Sequence, residues 1–190
     1  AAALMSDLGA GLTASALGVH DRVGGIPVYK NGVTTVSNLN NTVKGPVAIF
    51  APLSKYGDPY IYRLYQFWAG SKRGRRLLVE GREQAYTPAM IARAQKLEQQ
   101  YPEFVQIQKE WVKFNNGLMQ FLVDTGVLSK DKADEFTRYS DYVPFYRQFE
   151  GEKTIGPNLF ASISGVKGPK KLKGGEAPLA DFLETVVRNT

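Results

Sequence analysis

Cationic, aromatic and carboxylate side chains gather at separate places along this chain. The stretch "SKRGRR" sets Lys72, Arg73, Arg75 and Arg76 around a glycine, and "GVKGPKKLKGG" does the same for Lys167, Lys170, Lys171 and Lys173. Glycines between cations let a backbone approach a phosphate closely while the side chains fan over a polyanion. Both clusters are therefore candidate nucleic-acid-binding residues. The competing reading is solvated surface, the usual fate of a charge run. No groove-reading module is legible, so any such binding would be independent of base sequence.

A second kind of chemistry is offered by "SDYVPFYRQFEGE", residues 140–152. Pro144 keeps Val143 out of the helical region and makes the run extended. Alternation then puts Tyr142, Pro144 and Tyr146 on one side, with Val143, Phe145 and Arg147 on the other. One reading is an aromatic and cationic grip on a base, a sugar or a peptide. The other is an arm strapped over a helical core, its hydroxyls and Arg147 at the wet edge. Ordering an extended arm costs entropy that such anchors offset, which favours the strap. Tyr142, Pro144, Phe145, Tyr146 and Arg147 are accordingly read as arm anchor or protein interface.

For acid–base work the candidates are Glu80, Glu83, Glu103, Glu110, Asp124, Asp134, Glu135 and Asp141. Glycoside hydrolysis needs two carboxyls about 5 to 9.5 Å apart, and no spacing here singles out such a pair. Asp134 and Glu135, among Lys130, Lys132 and Arg138, read as solvated. His20 beside Asp21 could form a base with its orienter, but no nucleophile motif accompanies them. With one histidine and no cysteine, His/Cys zinc sites and thiolate chemistry are excluded. "KLKGG" lacks the upstream glycine and the Ser/Thr of a phosphate loop, and "GAG" near residue 10 follows no strand. The reading is non-enzymatic, with no cofactor and no metal. A carboxylate-based hydrolase stands third, behind nucleic-acid binding.

These residues have to be positioned by a chain of 190 residues carrying a net charge of +6 and 43% apolar residues, enough for one domain with a real core. Seven Lys/Arg against three Glu in residues 67–100 contrast with six against eight acids in residues 101–150, so the excess lies outside the longest helical pattern. No window approaches the ~20 apolar residues of a membrane span, and the opening residues lack the basic start of a signal peptide. The chain opens without an initiator Met and stops in a helical pattern without a C-cap glycine, which suggests an excerpt of a longer polypeptide.

The pattern predicts an N-terminal helix or linker over residues 1–23, helical through about residue 18. Residues 24–141 should hold a hairpin and a helical core, residues 142–176 an extended basic arm, and residues 177–190 a C-terminal helix. Asn31-Gly32 between Ile26–Lys30 and Val33–Val36 is the signal of a type I′ turn. "VAIFAPL" reads as a short buried piece. Asp58-Pro59, Thr87-Pro88, Pro102 and Ser129 each read as a helix start. The first of these helices should meet a break at "AGSKRGRR" and resume over Leu77–Glu80. Phe104, Ile107, Trp111, Phe114, Leu118 and Phe121 step by three and four, as a core seam does. The fold class is α+β, predominantly α-helical, with one hairpin and a long arm before the last helix.

In order along the chain, "GIPVYKNGVTTV", "EGREQAYTPAMIARA", "FNNGLMQFLVDTGVLS", "YVPFYRQFEGE" and "KKLKGGEAPLADFLETVVRN" resemble a large polyvalent protein-associated domain of bacteriophages and related mobile elements. The likeness runs from about Gly24 to Asn189. The family's last motif reads Leu-Glu-Asn, whereas Leu183-Glu184-Thr185 stands here. The resemblance implies an accessory module of a very long phage polypeptide, packaged in the virion and delivered with the genome to the host cytoplasm. Its implied partners are neighbouring domains or subunits of the particle, in an oligomeric assembly, and phage DNA. The family brings no catalytic residues to carry over.

Overall fold

The computed structural model describes residues 11–18, 23–83 and 85–141. The expected arm at 142–176 and the expected C-terminal helix lie outside these residues, as do positions 1–10. Residues 11–17 are helical (α1). A hairpin follows, β1 (Ile26–Lys30) and β2 (Val33–Ser37), then α2 (Pro46–Phe50), a 3-10 helix over Ala51–Tyr56, α3 (Tyr60–Val79), α4 (Pro88–Gln100), α5 (Glu103–Asp124) and α6 (Lys130–Thr137). The class is α+β and mostly helical, as the sequence pattern predicts.

Local chemistry explains most boundaries. Asn31 and Gly32 take φ of 53° and 80°, the positive values that a type I′ turn needs at both centres. The strands pair antiparallel from Lys30↔Val33 to Ile26↔Ser37. Asp58 Oδ1 accepts from the Tyr60 N–H at 2.8 Å and starts α3. Thr87 and Ser129 cap α4 and α6 by accepting from the backbone of Met90 and Lys132. Gly126, at φ 74°, turns the chain away after α5.

Two expectations are corrected. The helix carrying "AGSKRGRR" does not break there: α3 runs unbroken from Tyr60 to Val79. Helix-interior glycine costs only about 1 kcal/mol against alanine, and Gly70 and Gly74 are buried where close packing offsets it. A methyl group on Gly74 would sit 2.9 Å from the Cβ and Cγ of Tyr86, whose ring stacks on Phe67 at 6.0 Å. Burial, with the Glu83 charge second, pushes the Tyr86 phenol up to about 12. "VAIFAPL" is likewise not a uniformly buried piece. It forms α2 and the first turn of the 3-10 helix, with Ile49, Phe50 and Leu53 turned inward and Val47 47% exposed.

The seam on α5 is the centre of the core. Phe104, Ile107, Trp111, Phe114 and Leu118 are buried, and Phe121 at the end of the stripe is partly exposed. They meet Ile61, Tyr65 and Trp68 of α3 and Ile49, Phe50 and Leu53 in one cluster. Phe50 lies edge-on to Tyr65 at 5.4 Å and tilted to Trp111 at 5.5 Å, geometries that favour ring pairs beyond their buried area. The hairpin docks on α5 where Gly117 leaves room for Ile26; a Cβ there would come within 2.6 Å of the isoleucine. Among the described residues no helix is long and apolar enough to cross a membrane.

Candidate functional site on the basic face of α3

At about 100° per residue, positions 68, 72, 75, 76 and 79 share one side of α3, while position 73 turns roughly 100° from 72, 160° from 75 and 60° from 76. The helix therefore divides the sequence cluster, gathering Lys72, Arg75 and Arg76 and separating Arg73 from Lys72 and Arg75. A groove of about 570 Å³ runs between α3 and α4, bordered by Trp68, Lys72, Arg75, Ile91, Gln95 and Glu98. A shallower hollow of about 360 Å³ continues along α3 over Lys72, Arg75, Arg76, Val79 and Glu80.

Most of the charge on this face is already neutralised. Lys72 Nζ lies 3.1 Å from Glu98 Oε2 and 4.3 Å above the Trp68 ring, while Trp68 Nε1 donates to the same oxygen at 3.2 Å. Arg76 Nε donates to Asp141 Oδ2 at 2.7 Å and Nη2 to Oδ1 at 3.3 Å. Its Nη1 donates to Glu80 Oε1 at 3.1 Å, and Arg82 holds the other Glu80 oxygen. The Asp141 hydrogen bond leads the interactions that raise the Arg76 guanidinium above its ordinary value and keep it charged. Arg73 and Arg75 have no carboxylate within ion-pair distance among the described residues. The expected phosphate-cradling backbone is also gone. Inside α3 the N–H groups of residues 72–76 are hydrogen-bonded along the helix, so an anion would meet side chains alone.

The same arginine fastens the end of the described chain. Its guanidinium carbon stands 3.8 Å from the Tyr139 ring centroid, completing a clamp on residues 139 and 141. Gln108 of α5 holds the residue between them: its Nε2 donates to the Ser140 carbonyl at 3.2 Å, and its Oε1 accepts from the Tyr65 hydroxyl at 2.7 Å. Burial pushes the Tyr65 phenol up, so its hydroxyl stays a donor. The run "SDYVPFYR" thus begins on a fixed footing over α3 and α5. Tyr142, Pro144, Phe145, Tyr146 and Arg147 themselves lie outside the described residues, as do Lys167, Lys170, Lys171, Lys173, His20 and Asp21.

The candidate carboxylates are spread over the surface. Glu83 accepts from the N–H groups of Ala85 and Tyr86, and Asp124 from Gln120. Glu110 pairs with Lys44 and accepts from Gln106. Asp134 and Glu135 pair with Lys130 and Lys132 in solvent, as expected. Glu103 joins Lys55 and Tyr56; the hydrogen bond from Lys55, then its own backbone, holds this carboxyl below its ordinary value. Glu80 and Asp141 do come together, but through a shared arginine. Each accepts from different nitrogens of Arg76, so the two do not face one another across an open cleft. No group of three metal-ligating side chains occurs among the described residues.

Sequence reasoning missed Glu98, Gln108 and Tyr139. The four-residue spacing of Trp68 and Lys72 was a usable signal for their stacking, but nothing local points to partners 30 to 65 residues away. It also missed Gln66 and Asn115, buried polar residues: among the described residues Gln66 Nε2 and both amide atoms of Asn115 have no hydrogen-bond partner, nor does Nε1 of Trp111 in the seam. Comparison with known proteins finds no matching family model, no matching curated protein and no matching solved structure.

Proposed function

We propose that the chain is a non-enzymatic architectural module of a phage virion-associated protein, internal to the particle or ejected from it, that packs against neighbouring domains or subunits. The observation that carries this reading is the anchoring of residues 139–141. Arg76 grips Asp141 and Tyr139 while Gln108 grips Ser140. A bidentate ion pair and a cation over a ring fix a position, committing Arg76, Asp141 and Tyr139 to the clamp. The aromatic run starting at Tyr142 leaves from that point, which supports Tyr142, Pro144, Phe145, Tyr146 and Arg147 as a packing surface. The phage context draws on the ordered motif resemblance. Mass spectrometry is expected to find this chain's peptides in purified particles of the phage that encodes it. Peptides confined to the infected-cell lysate would refute the virion role.

A second reading, sequence-independent nucleic-acid binding, is favoured by Arg73 and Arg75, which no described carboxylate neutralises, and by the net charge of +6. Duplex DNA titrated between about 50 and 200 mM salt separates the two readings. The architectural reading expects no saturable binding at the lowest salt. Nucleic-acid binding through the lysines of "GVKGPKKLKGG" expects a log–log slope that flattens by about 3.6 when Lys167, Lys170, Lys171 and Lys173 become alanine, roughly 0.9 for each phosphate that a lysine had neutralised.

A further inference from the structure

The register of the hairpin leaves its two edges unequal. In a two-residue hairpin the residues flanking the turn exchange hydrogen bonds, and the ladder alternates from there. Lys30–Val33, Val28–Thr35 and Ile26–Ser37 are therefore the bonded pairs, whereas Tyr29–Thr34 and Pro27–Val36 turn their backbone groups outward. On the β1 edge one outward position is Pro27, which has no N–H, so an incoming strand meets a missing donor. On the β2 edge Thr34 and Val36 keep both N–H and C=O. No hydrogen bond outside the ladder engages either residue among the described residues.

The β2 edge is also unguarded by its side chains. "VTTVS" holds no charge and no proline, the residues by which proteins commonly protect an exposed edge. Val33 is 58% exposed and Thr35 is exposed, while Thr34, Val36 and Ser37 are half-buried, and β1 is the strand's one ladder partner among the described residues.

We propose that β2 pairs antiparallel with β2 of a second copy of this chain, joining the two hairpins into one sheet about a two-fold axis at Thr35. The strand is complementary to itself in this register. Thr34 stands opposite Val36 of the second copy, Val36 opposite its Thr34, and each outward N–H meets a carbonyl. Thr35 then faces Thr35 in the non-bonded site between them. Two copies of a chain of net charge +6 repel, and this uncharged strand is a place where they meet with no like charges opposed. The contact is separate from the α3 face and stands or falls independently of the architectural reading.

The test is disulfide trapping, since the chain contains no cysteine of its own. Non-bonded antiparallel partners have Cα atoms about 4.5 Å apart, within the roughly 4.4 to 6.8 Å that a disulfide spans. The full chain carrying Thr35→Cys, under oxidised glutathione, is expected to form a covalent dimer at least about tenfold faster than Asn116→Cys, an exposed position on α5, because pairing raises the effective concentration of one thiol at the other. Adding Val36→Pro removes an outward N–H while sparing the hairpin's own bonds, as Pro27 does directly opposite. It is expected to return trapping to the control rate. Trapping by Thr35→Cys no faster than by Asn116→Cys overturns the proposal, whatever Val36→Pro does to folding. Fast trapping that survives Val36→Pro in a folded chain overturns it as well.

Discussion

Replacing Asn115 with leucine should make this protein more stable. Asn115 is 5% exposed on the inner side of α5, and among the described residues neither its Oδ1 nor its Nδ2 has a hydrogen-bond partner. A buried polar group left unpaired costs about 1–3 kcal/mol, and leucine has the same branching at Cγ without that cost. Burying its methyl groups contributes about 1 kcal/mol more, and their extra volume gives back about 1–2 kcal/mol in a packed interior. The net expectation is a gain of about 1–2 kcal/mol, or roughly 4 °C in Tm for a chain of this size. Urea unfolding followed by the fluorescence of Trp68 and Trp111, both buried, measures it directly. Asn116→Leu is the control: that side chain is exposed, and its effect should stay within about 0.5 kcal/mol. A loss of about 2 kcal/mol or more for Asn115→Leu, with an unchanged denaturant slope, would refute the reasoning. It would mean that the Asn115 amide is fully hydrogen-bonded in solution, by bound water or by a partner seated at this face.

Two further outcomes follow from the ion pairs. Arg76→Ala and Asp141→Ala in a double-mutant cycle should show a coupling of about 1 kcal/mol, because the pair is bidentate and partly buried; zero coupling would mean that the clamp does not form in solution. Glu103 titrates below its unfolded value because Lys55 bonds the carboxylate, so its contribution is complete above the unfolded value of about 4.3 and fades as pH falls through the lower folded one. Glu103→Gln should therefore lower the urea midpoint at pH 7 and have no effect in strong acid, whereas an equal loss at both would assign its role to packing.

Much of the fold was legible because its signals are short-range. Asn31-Gly32 announces the hairpin through the positive φ both positions must adopt, and Asp58, Thr87 and Ser129 announce helix starts through oxygens that reach a nearby N–H. The step from Phe104 to Leu118 identifies the buried face of α5 because periodicity and burial coincide there. The same local reasoning failed at Gly70 and Gly74. Glycine weakens an isolated helix, but tertiary contacts with Tyr86 and the core decide whether the helix continues.

The sequence alone determined which chemistries this chain excludes, since a single histidine and no cysteine rule out His/Cys zinc and thiolate sites regardless of the fold. It also determined where cations are concentrated, but not which of them are available to a ligand. That was decided by tertiary structure. The helix turned Arg73 away from Lys72 and Arg75, and folding brought Glu98 to Lys72 across 26 residues and Asp141 to Arg76 across 65. Formal charge is additive along a chain, whereas its neutralisation depends on distances that only the packing of α3 against α4 and the segment after α6 establishes.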